Sequence, residues 1–296
     1  MGEDGLITRR DFLRGSAAVT LGAALGVGIS SGAWAEPGAR VVLIRHAEAL
    51  DGSGGVRQEV VASMLDEALK ALFGEGDPLA AWGRLVRASD VVGIKSNSWH
   101  SLPTPKEMGE AIRRRLLDVG VAESNMGIDD RGVLGNPIFA RATALINVCP
   151  VRTHFWSGVG GCLKNYIMFV PNPSAYHGDA CSELGAIWKQ PLVQGKTRLN
   201  VLVALTPQFY GRGPNFFDRR YVWPYKGIIV GTDPVAVDSV GAHLLMTQRV
   251  EFFGEDRPLD VPPKHMEVAE KKYGLGVSDL KRIELIKLGW MEGVLI

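Results

Sequence analysis

The residues with the clearest chemical potential lie in the segment 152–165. His154 carries an imidazole that can transfer a proton near neutral pH or bind a metal ion. After it, the run Gly158–Gly161 predicts a glycine-rich turn that leads into a helix. Backbone N–H groups in such a turn, together with the helix dipole, can hold a phosphate or a carboxylate. The segment therefore predicts an anion site, with a plain tight turn as the alternative. The glycines expected at the ligand are Gly158, Gly160 and Gly161.

Charged and amide side chains near this turn extend the predicted site. Lys164 falls in the first turn of the expected helix, and Lys95 ends a short apolar strand. Both bring positive charge to a bound anion, while Asn97 and Asn165 supply amides that orient it. An inward-facing Asp238 needs a partner, and Lys164 is a candidate. We predict catalytic roles for His154, Lys164 and Lys95, and ligand contacts from Asn97, Asn165 and Asp238 besides the three glycines.

A metal site is a second interpretation of the same region. His100, His154 and His177 fall in expected loops, with three cysteines nearby in the sequence. His154 and Cys162 are the ligands that we expect for such a metal. The spacing is irregular and no Cys-x-x-Cys pair occurs, so buried free thiols are the competing interpretation. In an oxidising compartment two of the cysteines can also pair, and the choice among Cys149, Cys162 and Cys181 stays open.

Arg45 and His46 form another candidate at the end of the first expected strand. The pair is similar to the nucleophile motif of histidine phosphatases, in which His attacks phosphorus and Arg neutralises the phosphate oxygens. Ala47 stands where that motif has glycine, and no second histidine segment matches. A polar strand end at the surface is the alternative.

Acidic and aromatic residues near other strand ends also allow two interpretations. Asp129 and Asp130 close the third expected strand, where they bind a cation or a ribose, or lie solvated in a turn. Asp233 and Pro234 predict a helix start, with Asp233 as the cap. Aromatic residues crowd two segments, where they form either a wall for a flat organic ligand or ordinary core. These residues are Trp156, Tyr166, Phe169, Tyr176, Phe216, Phe217, Tyr221, Trp223 and Tyr225.

Alternating strand and helix signals must position these residues. Runs rich in Val, Ile and Leu, such as Arg40–Arg45 and Leu199–Leu205, indicate buried strands, and the fourth strand is expected to end at Val148. Helical spacing predicts helices between them, one ended by Gly74 and another capped by Thr104. This alternation predicts an α/β fold with a Rossmann-like, mainly parallel sheet and helices on both faces. Ligands of such sheets bind beyond the carboxyl ends of the strands.

Residues 1–35 predict an export signal. Arg9 and Arg10 precede a weakly apolar run, Gly15–Gly32, and Ala33–Ala35 is a small-x-small cleavage site. The order resembles a twin-arginine (Tat) signal, so we expect the Tat translocase as a partner and the periplasm as the destination. A membrane anchor is the alternative, and an uncleaved signal would tether the protein. Because this route carries folded proteins, often around a cofactor, we expect a metal or an organic redox cofactor of unknown identity.

Composition limits the other classes of function. The 33 Lys and Arg against 32 Asp and Glu give a net charge of +1, which offers no strong field to nucleic acid or to an anionic membrane. A hydrophobic fraction of 46% is ample for a packed core. Residues 36–296 are long enough for one large domain, and we expect a single α/β domain there.

Three motifs in order resemble one protein family. They are Val92–Asn97 (VGIKSN), the stretch Asn147–Asn165 (NVCPVRTH to GGCLKN) and Gly231–Asp238 (GTDPVAVD). Together they resemble the prokaryotic family named domain of unknown function 362, over residues 40–246. The resemblance implies an α/β fold and, in some members, a ferredoxin-like iron–sulfur segment, which is not expected here because the cysteines for it are missing. Arg152 stands where this family usually has Lys, so chemistry that needs a neutral amine is in doubt at that position.

The preferred functional hypothesis is a cofactor- or metal-linked redox or small-molecule enzyme that binds a small anionic ligand. A non-catalytic periplasmic binding or maturation factor for a redox complex, with a redox partner protein, is the alternative. A histidine-phosphatase-like hydrolase is third. The first two use the same loop, but only an enzyme should lose turnover while it keeps affinity when His154 is replaced.

Overall fold

Runs of Val, Ile and Leu form the strands, because such side chains pack well in a sheet that is buried on both faces. The computed structural model describes residues 38–213 and 217–296, which fall in one compact unit, Pro37–Ile296. The predicted signal, residues 1–35, lies outside the described residues. Eight strands lie within them: β1 (Ala39–Arg45), β2 (Val92–Lys95), β3 (Met126–Asp129), β4 (Ala144–His154), β5 (Gly158–Gly160), β6 (Thr197–Gln208), β7 (Gly227–Gly231) and β8 (Ile283–Gly289).

One sheet holds these strands in the order β3-β2-β4-β6-β7-β1-β8, with β5 paired to β4. Strands β3, β2, β4 and β6 are parallel neighbours, and so are β1 and β8. Only β7 along this path runs antiparallel to both of its neighbours in the described sheet. The sheet is therefore mostly parallel but mixed, and the predicted Rossmann-like α/β class is confirmed.

Helices connect most of the strands. In the described residues they are α1 (Gln58–Phe73), α2 (Pro78–Gly83), α3 (Lys106–Asp118), α4 (Pro137–Ala140), α5 (Cys162–Asn165), α6 (Pro234–Phe253) and α7 (Lys264–Lys271), with one further turn at Gly178–Cys181. Short 3-10 segments include Glu123–Asn125, Tyr166–Phe169, Pro173–Tyr176, Ser182–Lys189, Arg219–Tyr221 and Leu280–Arg282. As predicted, Gly74 ends α1 in a left-handed conformation and the Asp233 carboxylate caps α6. No helix in residues 38–213 and 217–296 is long and apolar enough to cross a bilayer.

Two apolar layers cover the two faces of the sheet. On β1, Val41 and Leu43 pack into the layer that contains residues of α6, whereas Val42 and Ile44 pack into the layer that contains α1 and α3. This alternation follows from the two-residue period of a strand. Helices therefore lie on both faces, and the carboxyl ends of the parallel strands remain as the edge where a ligand site can form.

The expected capping role of Thr104 is wrong. Helix α3 begins after Pro105 and has no side-chain cap. The Thr104 hydroxyl instead donates to the Val148 carbonyl at 3.0 Å and accepts the Asn97 N–H at 2.9 Å. Thr104 thus ties the segment after β2 to β4, at the edge where the candidate site lies.

The glycine run is a strand and not the predicted turn. Strand β4 does not end at Val148 but continues to His154, and β5 folds back against it, with Arg152 opposite Gly160 and His154 opposite Gly158. Gly158 has a positive φ of 73°, and a Cβ there would collide with the carbonyl of Val261. The β4–β5 hairpin projects His154 and Arg152 past the edge of the parallel strands.

Candidate functional site

A cavity of about 230 Å³ lies at the carboxyl ends of β2 and β3 and against the β4–β5 hairpin. Its wall combines residues that are far apart in the sequence, from Asn97 to His177. Six of the predicted site residues line it together: Asn97, His154, Gly160, Gly161, Lys164 and Asn165. The fold therefore gathers most of the predicted set around one hollow.

Arg152 is a cavity residue that the sequence analysis did not assign to the site. Its side chain is buried, and within the described residues no acceptor hydrogen-bonds to it and no acid pairs with it. Its guanidinium carbon lies 4.5 Å from the centroid of the Trp99 ring. Burial lowers the pKa of Arg152 to about 10, so the side chain stays charged at neutral pH. The sequence feature that could have identified Arg152 as a site residue is an arginine within a buried apolar strand.

Lys164 is the second buried cation of the cavity wall. It is buried, its Nζ lies 3.6 Å from the Cys181 thiol, and the Trp156 ring centroid is 5.9 Å away. A thiol is a weak acceptor, so the ammonium keeps most of its hydrogen-bonding capacity. Burial lowers the pKa of Lys164 to about 8, with the nearby charge of Arg152 acting in the same direction. Lys164 is therefore a cation that can release its proton near neutral pH.

His154 is held as a neutral imidazole. The Trp156 N–H donates to its Nδ1 at 3.2 Å, which assigns the ring proton to Nε2. Burial, and next the charges of Lys164 and Arg152, lower the pKa of His154 to about 2. The ring therefore offers one neutral N–H donor to the cavity and adds no charge of its own.

Lys95 does not reach the cavity as a free charge. It has no exposed surface, and its ammonium donates to Asp130 Oδ1 at 2.5 Å, to the Ser96 carbonyl at 2.7 Å and to Asn165 Oδ1 at 3.3 Å. Asp130 also accepts from the N–H and the hydroxyl of Ser98. Burial tends to raise the pKa of Asp130, but Lys95 and these donors outweigh it and lower the pKa. The pair is thus an internal ion pair that positions the wall.

A chain of buried amides links this pair across the sheet. Asn165 accepts from Asn97 at 3.1 Å and donates to Asn147 at 2.8 Å. Asn147 donates to Asn200 at 3.1 Å, and Asn200 donates to the Thr232 carbonyl at 3.2 Å. Lys95, Asn147 and Asn200 occupy one transverse row of β2, β4 and β6. Asn147 and Asn200 were not predicted, although each interrupts an apolar strand.

Asp238 already occupies the helix terminus that was expected to bind the ligand. Its carboxylate accepts from the N–H of Cys162 at 2.6 Å and of Leu163 at 2.8 Å, and not from Lys164. It is fully buried, and burial raises its pKa to about 7. A Cβ at Gly161 would fall less than 3.0 Å from this carboxylate. Asp238 therefore caps α5 from inside, and the backbone of this loop does not present a free anion site.

The residues present do not fit the expected metal. In residues 38–213 and 217–296 no group of three or more His, Cys, Asp or Glu side chains is arranged to hold an ion. Cys162 is fully buried, and burial raises the pKa of its thiol well above 9.0. All three cysteines are free thiols. His154 and Cys162 accordingly make no metal site in this fold.

The Arg45–His46 pair also lacks the geometry that the phosphatase hypothesis needs. The Arg45 guanidinium donates to the carbonyls of Tyr225 and Glu292, and it lies 4.4 Å from the ring centroid of Trp290. His46 is exposed, and neither residue lines the cavity. This strand end is a structural contact.

The aromatic residues serve mainly as packing. Trp156 stacks on His177 with ring centroids 3.8 Å apart, so this face is not open to a flat ligand. Tyr221 and Trp223 pack against Phe209 in the second aromatic segment. Phe216 lies outside the described residues. Asp129 accepts the N–H of Asp130 and of Gly132 and stabilises a turn.

Comparisons with known proteins give two matches. The family described as Domain of unknown function (DUF362) matches residues 130–243, and the TAT (twin-arginine translocation) pathway signal sequence matches residues 6–26. The first match is narrower than the span 40–246 expected from the motifs; it contains Arg152 and Lys164, whereas Lys95 precedes it. No curated protein and no solved structure matches the chain significantly. The chain is therefore a protein exported to the periplasm by the Tat route, and its residues 130–243 are similar to the family described as Domain of unknown function (DUF362).

Proposed function

We propose that the cavity binds a small anionic molecule through Arg152 and Lys164. The observation that carries this proposal is the buried Arg152 side chain, which forms no salt bridge and whose buried Nε has no hydrogen-bond partner within the described residues. An uncompensated buried charge costs on the order of several kcal/mol. An anion in the cavity would remove that cost, so the site is stabilised when it is filled.

The rest of the wall supports an anion over a cation. Asp130 is the acid among the lining residues, and its charge is already matched by Lys95. His154 adds a neutral N–H donor, and Lys164 adds a second positive charge. Trp99 and Trp156 face the two cations without cancelling their charge.

The volume supports a small ligand. A space of about 230 Å³ corresponds to roughly eight water molecules at ~30 Å³ each. Pockets for drug-sized ligands hold about 300–1,000 Å³. We therefore propose a small ligand for this space and assign no step there to an organic redox cofactor.

Isothermal titration of the exported protein with inorganic phosphate, sulfate, succinate and acetate tests the proposal. We expect at least one of them to bind the wild type and to lose about tenfold or more in affinity in Arg152→Gln. Arg57→Gln removes the same charge from an exposed position and should keep full affinity. Equal losses in the two variants would mean general surface attraction and would contradict a built site.

A proton-transfer enzyme is the second candidate, and the environment of Lys164 favours it. A buried lysine with a pKa of about 8 can act as a general base or acid near neutral pH. Competitive acylation across pH should show Lys164 titrating near pH 8, well below the ordinary lysine value of about 10.4. If Lys164 titrates at the ordinary value, catalysis by Lys164 loses its support and a non-catalytic binding protein remains.

A further inference from the structure

The cavity wall presents two buried cations to one space, and Arg131 is a third, exposed cation among its lining residues. Arg152 lies against Trp99, and Lys164 lies near Trp156 and the Cys181 thiol. The two indoles belong to different segments, one after β2 and one in the β4–β5 hairpin, so each cation has its own surroundings. Both cations line the same 230 Å³ cavity.

Neither cation is neutralised by the protein in the described residues. Arg152 has no ion pair, and the one polar partner of Lys164 is a neutral thiol. The acid that lines the cavity, Asp130, is 2.5 Å from Lys95 and is therefore already paired. Two buried positive charges at one cavity repel each other, and a single negative charge compensates only one of them.

We propose that the ligand of this cavity is a small dianion whose two negative charges are compensated by Arg152 and Lys164. This inference rests on the proposed anion binding and adds the charge of the ligand. Short dicarboxylates and phosphate monoesters share this chemistry, since both carry two negative charges on oxygen atoms in a compact molecule. The planar fork of Arg152 suits a carboxylate or a phosphate, and Lys164 acts as a point charge.

Two matched probe pairs separate ligand charge from ligand shape. Succinate and its monoamide succinamate share one skeleton but differ by one charge, and so do methyl phosphate and dimethyl phosphate apart from one methyl group. Titrations of the exported protein at pH 7.5 should show the dianion of one pair binding about tenfold or more tightly than its monoanion. The pair that shows this preference identifies a carboxylate or a phosphate ligand.

Lys164 variants connect the preference to the second charge. In Lys164→Gln the advantage of the dianion should fall to about twofold or less, because Arg152 is then the one buried cation among the described lining residues. Lys164→Arg keeps the charge and should keep most of the preference, and Lys106→Gln serves as the surface control. If Lys164→Gln does not fold, the wild-type pairs and Lys164→Arg still decide the question.

The outcomes distinguish this inference from the function on which it rests. Equal affinity of dianion and monoanion in both pairs would overturn the dianion and leave the anion site standing. A dianion preference that survives unchanged in Lys164→Gln would also overturn the inference. Binding of none of the four probes to the wild type would contradict both proposals.

Discussion

The guanidinium carbon of Arg152 lies 4.5 Å from the ring centroid of Trp99, and this indole takes the place that a carboxylate usually has beside a buried cation. An aromatic face attracts a cation without cancelling its charge. Lys95 shows the opposite arrangement, because its ammonium is 2.5 Å from Asp130. We infer that Lys95 stabilises the wall of the site, while the charge of Arg152 has no salt-bridge partner in the described residues and can bind an anionic ligand.

Replacing Arg152 should therefore stabilise the empty protein. Arg152→Met removes a buried charge without a partner and keeps much of the apolar stem. We expect the free energy of unfolding to rise by about 1 kcal/mol, since an unsatisfied buried polar group costs about 1–3 kcal/mol and the lost Trp99 contact offsets part of the gain. Urea denaturation in an anion-poor buffer measures it. A loss of more than about 1 kcal/mol would indicate a structural role for Arg152 instead.

Replacing Lys95 should have the opposite effect. Lys95→Met leaves the Asp130 carboxylate buried without its counter-charge, and removal of one partner of a buried pair costs about 3–5 kcal/mol. In the double variant Lys95→Met/Asp130→Asn the charge is gone and the acceptor for Ser98 remains. We expect the double variant to recover at least ~1 kcal/mol of the loss in urea denaturation. A double variant less stable than Lys95→Met would refute the ion-pair account.

The buried His265 predicts a specific pH dependence. Both of its ring nitrogens lack a partner in the described residues, and burial lowers its pKa to about 3. Below pH ~6.5 the unfolded chain binds a proton that the folded protein does not. The free energy of unfolding therefore decreases as the pH is lowered. At pH 5 this loss is about 2 kcal/mol.

The comparison of wild type with His265→Leu isolates this effect. The raised pKa of Asp238, about 7, acts in the opposite direction over this range, but it is present in both proteins and cancels in the difference. We expect the stability of the variant relative to wild type to increase by about 2 kcal/mol between pH 7 and pH 5. A difference independent of pH would show that His265 has the same pKa in the folded and the unfolded protein, which would contradict the account.

Neighbouring glycines of the hairpin should differ in their tolerance of alanine. A Cβ at Gly161 would collide with the Asp238 carboxylate, whereas at Gly160 the nearest atom would be Arg152 Cγ at 3.5 Å. Gly161→Ala should lower the free energy of unfolding by about 2–3 kcal/mol more than Gly160→Ala, because it displaces the cap of α5. Urea denaturation of the two variants measures this difference. Equal effects would mean that Asp238 does not hold this turn.

Much of the fold is predictable because its signals are local. The Val- and Ile-containing run before Lys95 indicates a buried strand, and the structure ends β2 at that residue. Because ligands of such sheets bind at the carboxyl edge, four residues were predicted to lie together there, and they line one cavity: His154, Lys164, Asn97 and Asn165.

The remainder depends on long-range pairing, which local patterns do not contain. The Gly158–Gly160 run has the local sequence of a turn, but it forms a strand because it pairs with β4. Asp238 reaches the N–H of Cys162 across 76 positions of sequence. Arg152 was not assigned to the site from the sequence, because its importance depends on the lack of a salt-bridge partner in the described fold, which no local pattern indicates.

Anomalous diffraction from crystals soaked in selenate tests the central claim most directly, since selenate is a small dianion with a strong scatterer. The anion site predicts a selenium peak inside the cavity, with selenate oxygens at hydrogen-bonding distances of about 2.7–3.2 Å from Arg152 nitrogens, and no such peak in Arg152→Gln. Selenate bound only on the outer surface, with the cavity free of it in wild-type crystals, would contradict the account.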